Sequence, residues 1–287
     1  MDEQTELELK RKALEIRTMT IDAIGYLGIG HVGGSMSIVE MLALLYFQHM
    51  NVDPRDPGKR DRDQLILSKG HAGPALYSTL ALKGYFPKDW LHTLNIGGSR
   101  LPSHVDMNLT PGIDMTAGSL GQGLSAAVGK ALGNRLDGLD SKIYVIIGDG
   151  ESNEGQVWEA AMSAAHYQLN NIIAFTDYNK MQIDGYTDEV MNLDDIGAKW
   201  TGFGWHVLRV DGHDFRALDR AIVRAKRERC RPTMIIADTV KGKGIFFAEA
   251  KVTSHHMNLS YDTAREAVRR LSADAEKSEA TRENGNG

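Results

Sequence analysis

Tyr144-Val145-Ile146-Ile147-Gly148-Asp149-Gly150 decides the fold class of this 287-residue chain. A continuous apolar run ends in an acid held between two glycines, the pattern of a strand buried on both faces that stops at a tight turn. The glycines let the backbone turn sharply and come close to a ligand. Working outward, the spacing predicts a helix over Gln122 to Leu136 before this strand. After it come a helix near Gln156 to Gln168 and a strand Ile172 to Thr176 that runs into Asp177-Tyr178-Asn179. Strand Trp205 to Val210, helix Phe215 to Lys226 and strand Met234 to Asp238 follow. Apolar strands alternating with amphipathic helices predict an α/β fold, a parallel sheet flanked by helices on both faces.

The N-terminal part is less regular. Leu7, Leu14, Ile21 and Ile24 predict a helix from Met1 to about Gly25, and Ser35 or Ser37 is placed to cap a second helix running through Leu45 to His49. A short strand, Gln64 to Ser68, and a helix from about Ala72 to Lys83 come next. Asn95 to Gly118 is long and irregular, the kind of loop that carries function. Thr263 to Leu271 reads as one short amphipathic segment. From Ser272 to Gly287 no apolar residue exceeds alanine, so residues 272–287 are expected to form a disordered polar tail after a domain spanning 1–271.

Composition excludes several classes. With 33 Lys+Arg against 38 Asp+Glu and a net charge of -5, the chain has no basic footprint for nucleic acid. The stretch Ile38 to Met50 is too short and too polar to span a membrane. The acidic N-terminus does not resemble a signal peptide. One cysteine, Cys230, cannot close an internal disulfide, so a reducing cytoplasm is expected. Thirty glycines exceed the ordinary share, about 7%, and they cluster at the predicted strand ends.

Ligands of parallel sheets sit outside the carboxyl ends of the strands. Ser68-Lys69-Gly70-His71, Gly148-Asp149-Gly150, Asp177-Tyr178-Asn179 and Lys241-Gly242-Lys243-Gly244 all fall there. The Asp149 carboxylate, the Asn179 amide oxygen and a nearby carbonyl such as that of Met181 make three oxygen ligands for a divalent cation. Mg²⁺ would complete its shell with phosphate oxygens and water. The helix after Gly150 offers its first amides to an anion. The set therefore reads as a metal-bridged diphosphate site. Of ten histidines, His49, His92, His166, His206 and His213 read as surface or packing residues. His31, His71, His104, His255 and His256 stand beside glycine-rich or strand-end segments. Imidazole there suits proton shuttling near neutral pH.

Gly148 to Gly155, Asp177 to Gly185, Leu67 to His71, Leu101-Pro102-Ser103-His104 and Thr116 to Gly123 together resemble the transketolase family, in the family's order, from about Gly30 to His256. The resemblance implies the thiamine diphosphate-binding fold, with thiamine diphosphate and Mg²⁺, or another divalent cation such as Ca²⁺ or Mn²⁺, as cofactors. It implies Asp149, Asn179 and Met181 as metal ligands, and Gly150 at the diphosphate. His71 and the backbone of Gly118, Ser119 and Leu120 would lie against the cofactor. His31 and His104 would face the substrate, and His255 would serve diphosphate and proton transfer, with His256 its alternative. Glu154 would stand at a subunit contact near the cofactor's activating glutamate. The sequence departs from the family at Gly30-His31-Val32, where Ser-His-Pro is usual, and at Ser119, Tyr178 and Ser254, where proline, a second Asp and tryptophan are common.

The resemblance implies an active site shared with a pyrimidine-binding domain, and no second α/β domain is expected in the stretch after Gly244. The expectation is therefore an N-terminal subunit of a split transketolase, inactive alone. It would be completed by a separate chain with the pyrimidine-binding and C-terminal domains, in an α2β2 assembly acting on sugar or sugar phosphate substrates. Two alternatives stay open: the α subunit of a thiamine-dependent 2-oxo acid dehydrogenase, and a non-catalytic relic of the fold.

Overall fold

The computed structural model describes residues 1–183 and 185–285. The chain opens with α1 (Glu3–Leu27), β1 (Ile29–Gly30), α2 (Val32–Met36), α3 (Val39–Leu44), β2 (Gln64–Leu67) and α4 (Gly73–Lys83). The regular part follows with α5 (Gln122–Leu136), β3 (Ile143–Gly148), α6 (Gly155–His166), β4 (Ile172–Tyr178), α7 (Thr187–Val190) and α8 (Ile196–Gly202). It closes with β5 (His206–Asp211), α9 (Phe215–Arg227), β6 (Thr233–Asp238), β7 (Met257–Asn258) and α10 (Tyr261–Gly285). No described helix is long and apolar enough to cross a membrane.

Five parallel strands form the central sheet in the order β2-β3-β4-β6-β5. Successive side chains of a strand point to opposite faces, and the two cores divide accordingly. Tyr144, Ile146, Ile173, Phe175 and Ile235 pack under α1, α3, α4 and α9. Val145, Ile147, Ile172, Ala174, Met234 and Ile236 pack under α5, α6 and α8. Full coverage of both faces explains why these strands read as continuous apolar runs. The register sets Gly148 beside Asp177, and Tyr178 beside Asp238, so the strand-end motifs arrive at one edge. A separate antiparallel pair, Gly30 with Met257 and Ile29 with Asn258, brings His31 against the segment holding His255 and His256.

One expectation is corrected, and one is narrowed. Of the two candidate caps, Ser35 lies inside α2, and the second helix begins after Ser37-Ile38 as α3 and continues in π-helical turns over Leu45–His49. The Ser37 hydroxyl donates to Asp177 at 2.7 Å, which anchors this junction to the end of β4. The polar tail expected from Ser272 is helical: α10 continues to Gly285, while Asn286 and Gly287 lie outside the described residues. Alanine, glutamate, lysine and arginine there are strong helix formers, and the preceding turns are pinned where Ala264, Ala267 and Leu271 are buried. A Cβ on Gly25 would overlap Ala264 at 2.1 Å, so α1 and α10 approach this closely because residue 25 is glycine.

Candidate cofactor and active site

The strand ends surround a cavity of about 560 Å³. Asp149, leaving β3, is buried in its wall; its carboxylate accepts from the backbone N–H of Gly150 at 2.8 Å and of Lys180 at 2.5 Å. Burial, then the nearby Asp177 charge, push its carboxyl up to about 7, with those two amides and Lys69 acting the other way. A carboxylate held in this state is poised for a cation. Asn179 donates through Nδ2 to Asp177 at 2.9 Å, which fixes the orientation of its amide oxygen; that oxygen accepts from the Met181 N–H at 3.2 Å. Asp149, Gly150, Asn179 and Met181 all line the cavity.

Among the described residues, no group of three or more His, Cys, Asp or Glu side chains is arranged to hold a metal. The expected set has a different chemistry: one carboxylate, one amide oxygen and one backbone carbonyl. Such an all-oxygen set is incomplete for a hard divalent cation unless phosphate oxygens and water complete it. Thiamine diphosphate with a divalent cation therefore fits the residues present: among the described residues the hydrogen bonds to the Asp149 carboxylate come from backbone amides alone, and two buried ammonium groups, Lys69 and Lys241, line the same cavity.

The histidines converge as well. His31 follows β1, and its ring centroid lies 5.2 Å from that of His71, 5.5 Å from His104, 5.5 Å from His255 and 4.5 Å from His256. His31, His71, His104 and His255 line the main cavity. His256 instead borders a small side pocket with His31, Asn95 and Ser103. Both members of the pair thus reach the site, in different places. Burial, then neighbouring histidines and Lys241, lower His31 to about 4; burial, then Lys241 and His31, lower His255 to about 3. Burial and then Lys69 hold His71 well below the usual imidazole range. These rings are neutral at pH 7, each with one donor and one acceptor nitrogen.

Gly118 and Leu120 line the cavity, and Glu154 lies exposed at its rim at the start of α6. Ser119 is exposed and does not border the cavity; its neighbours, not its own side chain, face inward. Gly121 has a φ of +84° as it leads into α5, and its amide donates to Glu151 at 2.9 Å. Ser254 is buried, and a Cβ on Gly33 would meet its Oγ at 2.5 Å, so α2 packs on Ser254 where a tryptophan would have no room.

Four site residues carry no role in the sequence reading. Glu151 is buried and accepts from the Gly121 and Gly148 amides at 2.9 and 3.0 Å and from the Ser68 hydroxyl, tying three cavity segments together. Asp177 is fully buried and accepts from Ser37, from Lys69 at 2.5 Å, from Asn179 and from the Thr239 hydroxyl. Lys69 and Lys241 stand inside strand-end motifs, the one signal that could have marked them. The Lys241 ammonium reaches the Met181 carbonyl at 3.3 Å and His255 Nδ1 at 3.2 Å.

The acid response follows from the half-buried imidazoles. His31, His49, His71 and His255 all have folded pKa values below the ordinary 6.5. The unfolded chain therefore takes up these protons first, so stability is held above about pH 6.5 and lost as pH falls toward 4. Asp149 and Glu151, raised by burial, act in the opposite direction but are outnumbered. The urea midpoint is expected to fall between pH 7 and pH 5; a midpoint that rises would contradict these assignments.

Residues 9–284 match the family described as transketolase, thiamine diphosphate binding domain. The chain belongs to this family. It is 56% identical over 271 residues to the 6-deoxy-6-sulfo-D-fructose transketolase subunit SqwG of Clostridium sp. (strain MSTE9), a match covering 94% of this chain and 98% of that relative. It is 41% identical over 251 residues to an apulose-4-phosphate transketolase subunit from Actinobacillus succinogenes, covering 88% of this chain and 90% of the other. Among solved structures, the transketolase of Campylobacter jejuni superposes with a TM-score of 0.87 at 31% identity, over 95% of this chain and 43% of that one. The transketolase-family chain thus spans less than half of the solved transketolase it matches, but nearly all of the two subunits.

Proposed function

We propose that the chain is the thiamine diphosphate-binding subunit of a two-chain transketolase, a transferase that moves a two-carbon ketol unit from a ketose to an aldose. In the reaction the C2–C3 bond of the ketose breaks and a new bond forms to the aldehyde carbon of the acceptor, leaving an aldose two carbons shorter than the donor. The observation that carries this reading is the convergence of Asp149, Asn179 and Met181 with four neutral histidines on one cavity, in a chain that covers 98% of a transketolase subunit.

Thiamine diphosphate, when bound, supplies the electron sink that makes cleavage beside a carbonyl possible. Asp149, Asn179 and the Met181 carbonyl hold the divalent cation, for which Mg²⁺ is the expected ion. Lys69 and Lys241 supply positive charge at the diphosphate end. Neutral His31, His104 and His255 donate to and accept from sugar hydroxyl and carbonyl oxygens, and this two-way capacity is what proton shuttling requires. Glu154, exposed at the cavity rim, faces the partner chain.

That partner carries the pyrimidine-binding and C-terminal domains, in an α2β2 assembly located in the cytoplasm, where the exposed free Cys230 stays reduced. The identity to a 6-deoxy-6-sulfo-D-fructose transketolase subunit supports a ketose donor with an anionic terminal group. Mixing the chain with the candidate partner, thiamine diphosphate, Mg²⁺ and a short aldose should release the shortened aldose from 6-deoxy-6-sulfo-D-fructose or fructose 6-phosphate. Turnover of a 2-oxo acid in place of both ketoses would overturn the reading.

A further inference from the structure

His213 reads in the sequence as a bland surface or packing residue, yet it joins three elements beneath the Lys241 turn. It lies just past the end of β5, with a side chain 13% exposed. Its Nε2 accepts from the backbone N–H of Val240 at 2.9 Å, so Nε2 carries no proton. Its Nδ1 therefore carries the proton and donates to Glu40 Oε2 at 3.0 Å. Glu40, on α3, is fixed in turn: its other oxygen accepts from Arg17 at 2.7 Å. Arg17, on α1, also donates to the Lys243 carbonyl at 2.9 Å. Burial alone would raise the Glu40 carboxyl, but the Arg17 guanidinium and the His213 hydrogen bond bring it down to about 2, so it remains a charged acceptor.

The turn between Val240 and Lys243 is thus gripped at both ends by one partly buried chain of hydrogen bonds. Between the grips stands Lys241, almost fully buried, whose ammonium is directed into the cofactor cavity. We propose that His213, oriented by Glu40 and Arg17, is a positioning residue that fixes the backbone at Val240 so that Lys241 faces the bound diphosphate. Imidazoles oriented by a carboxylate are a common means of fixing a tautomer. Here the imidazole's free nitrogen holds a backbone amide in place of a metal. The inference rests on the proposed binding of thiamine diphosphate in this cavity.

Two substitutions separate the contacts of His213. His213→Asn keeps a donor near Glu40 but is too short to reach the Val240 amide. His213→Gln places its oxygen as many bonds from Cβ as Nε2 and retains that acceptor. Thiamine diphosphate affinity is measured by calorimetry with Mg²⁺ on the assembled two-chain protein, beside the thermal midpoint of each variant. H213N should weaken binding on the order of tenfold, the effect expected of a supporting shell, and H213Q should stay within about threefold of the parent. In a K241M background, adding H213N should weaken binding no further, because coupled residues are not additive. Equal losses from H213N in both backgrounds would reduce His213 to a general structural role and overturn the proposal, as would parental affinity in H213N. Absence of binding by the parent protein would instead remove the cofactor reading on which it rests.

Discussion

Asp149→Ala should abolish metal-dependent binding of thiamine diphosphate, raising its dissociation constant at least about a hundredfold at millimolar Mg²⁺, the upper end of what losing even an outer-shell partner of a metal ligand costs. The carboxylate is the one charged oxygen in the proposed ligand set. Without it, an amide oxygen and a carbonyl remain, too few and too weakly charged to hold Mg²⁺ against its hydration. Stability should not follow affinity. Asp149 is buried, with two backbone amides as its hydrogen-bond donors and the Asp177 charge nearby. Asp149→Asn removes a desolvated charge, so the urea midpoint of the cofactor-free chain at pH 8 is expected to stay level or rise. A variant that lost stability but kept metal-dependent affinity would contradict the assignment on both counts.

Asp177→Leu is expected to have the larger effect on folding. Asp177 and Lys69 are both essentially inaccessible to solvent, and their charged atoms lie 2.5 Å apart. Burial alone would raise Asp177, but Lys69 beside it and the hydrogen bonds from Lys69, Thr239 and Ser37 hold it below the usual carboxylate range. Removing the acid strands the Lys69 ammonium in the interior, with the Gly34 carbonyl at 2.8 Å as its remaining acceptor. Breaking one side of a buried pair costs about 3–5 kcal/mol, whereas removing both sides is often close to neutral. Urea denaturation should therefore show a loss of that order in D177L, largely recovered in the double variant D177L/K69M. A loss below about 1 kcal/mol in D177L would mean that the pair behaves as a solvent-exposed one and that Lys69 is not stranded by the loss of Asp177.

The uneven legibility of this chain has physical causes. β3, β4 and α5 were readable because full burial writes an apolar run and helical periodicity writes itself locally. Gly148-Asp149-Gly150 and Asn179 were readable because each stands at the end of such a run. The Lys69–Asp177 pair was not, since its members lie 108 residues apart and meet only once β2, β3 and β4 are placed in order. Glu151 looks like an ordinary acid early in a helix until the Gly121 and Gly148 amides turn toward it. The two-residue pairing of β1 with β7 is too short to leave a pattern, yet it is what sets His31 beside His256. The helical continuation past Ser272 was hidden because composition low in large apolar residues fits a disordered tail and an exposed helix alike.

In the proposed function this chain supplies the metal and diphosphate half of an active site whose other half is a second polypeptide. The most direct test is ketol-transfer rate at a fixed concentration of this chain, with saturating thiamine diphosphate and Mg²⁺, as purified partner chain is added. No transfer is expected without the partner, then a linear rise on addition and a plateau at one partner per chain. Transfer by the isolated chain, or none at any ratio with a partner that binds it, would be incompatible with an active site divided between the two chains.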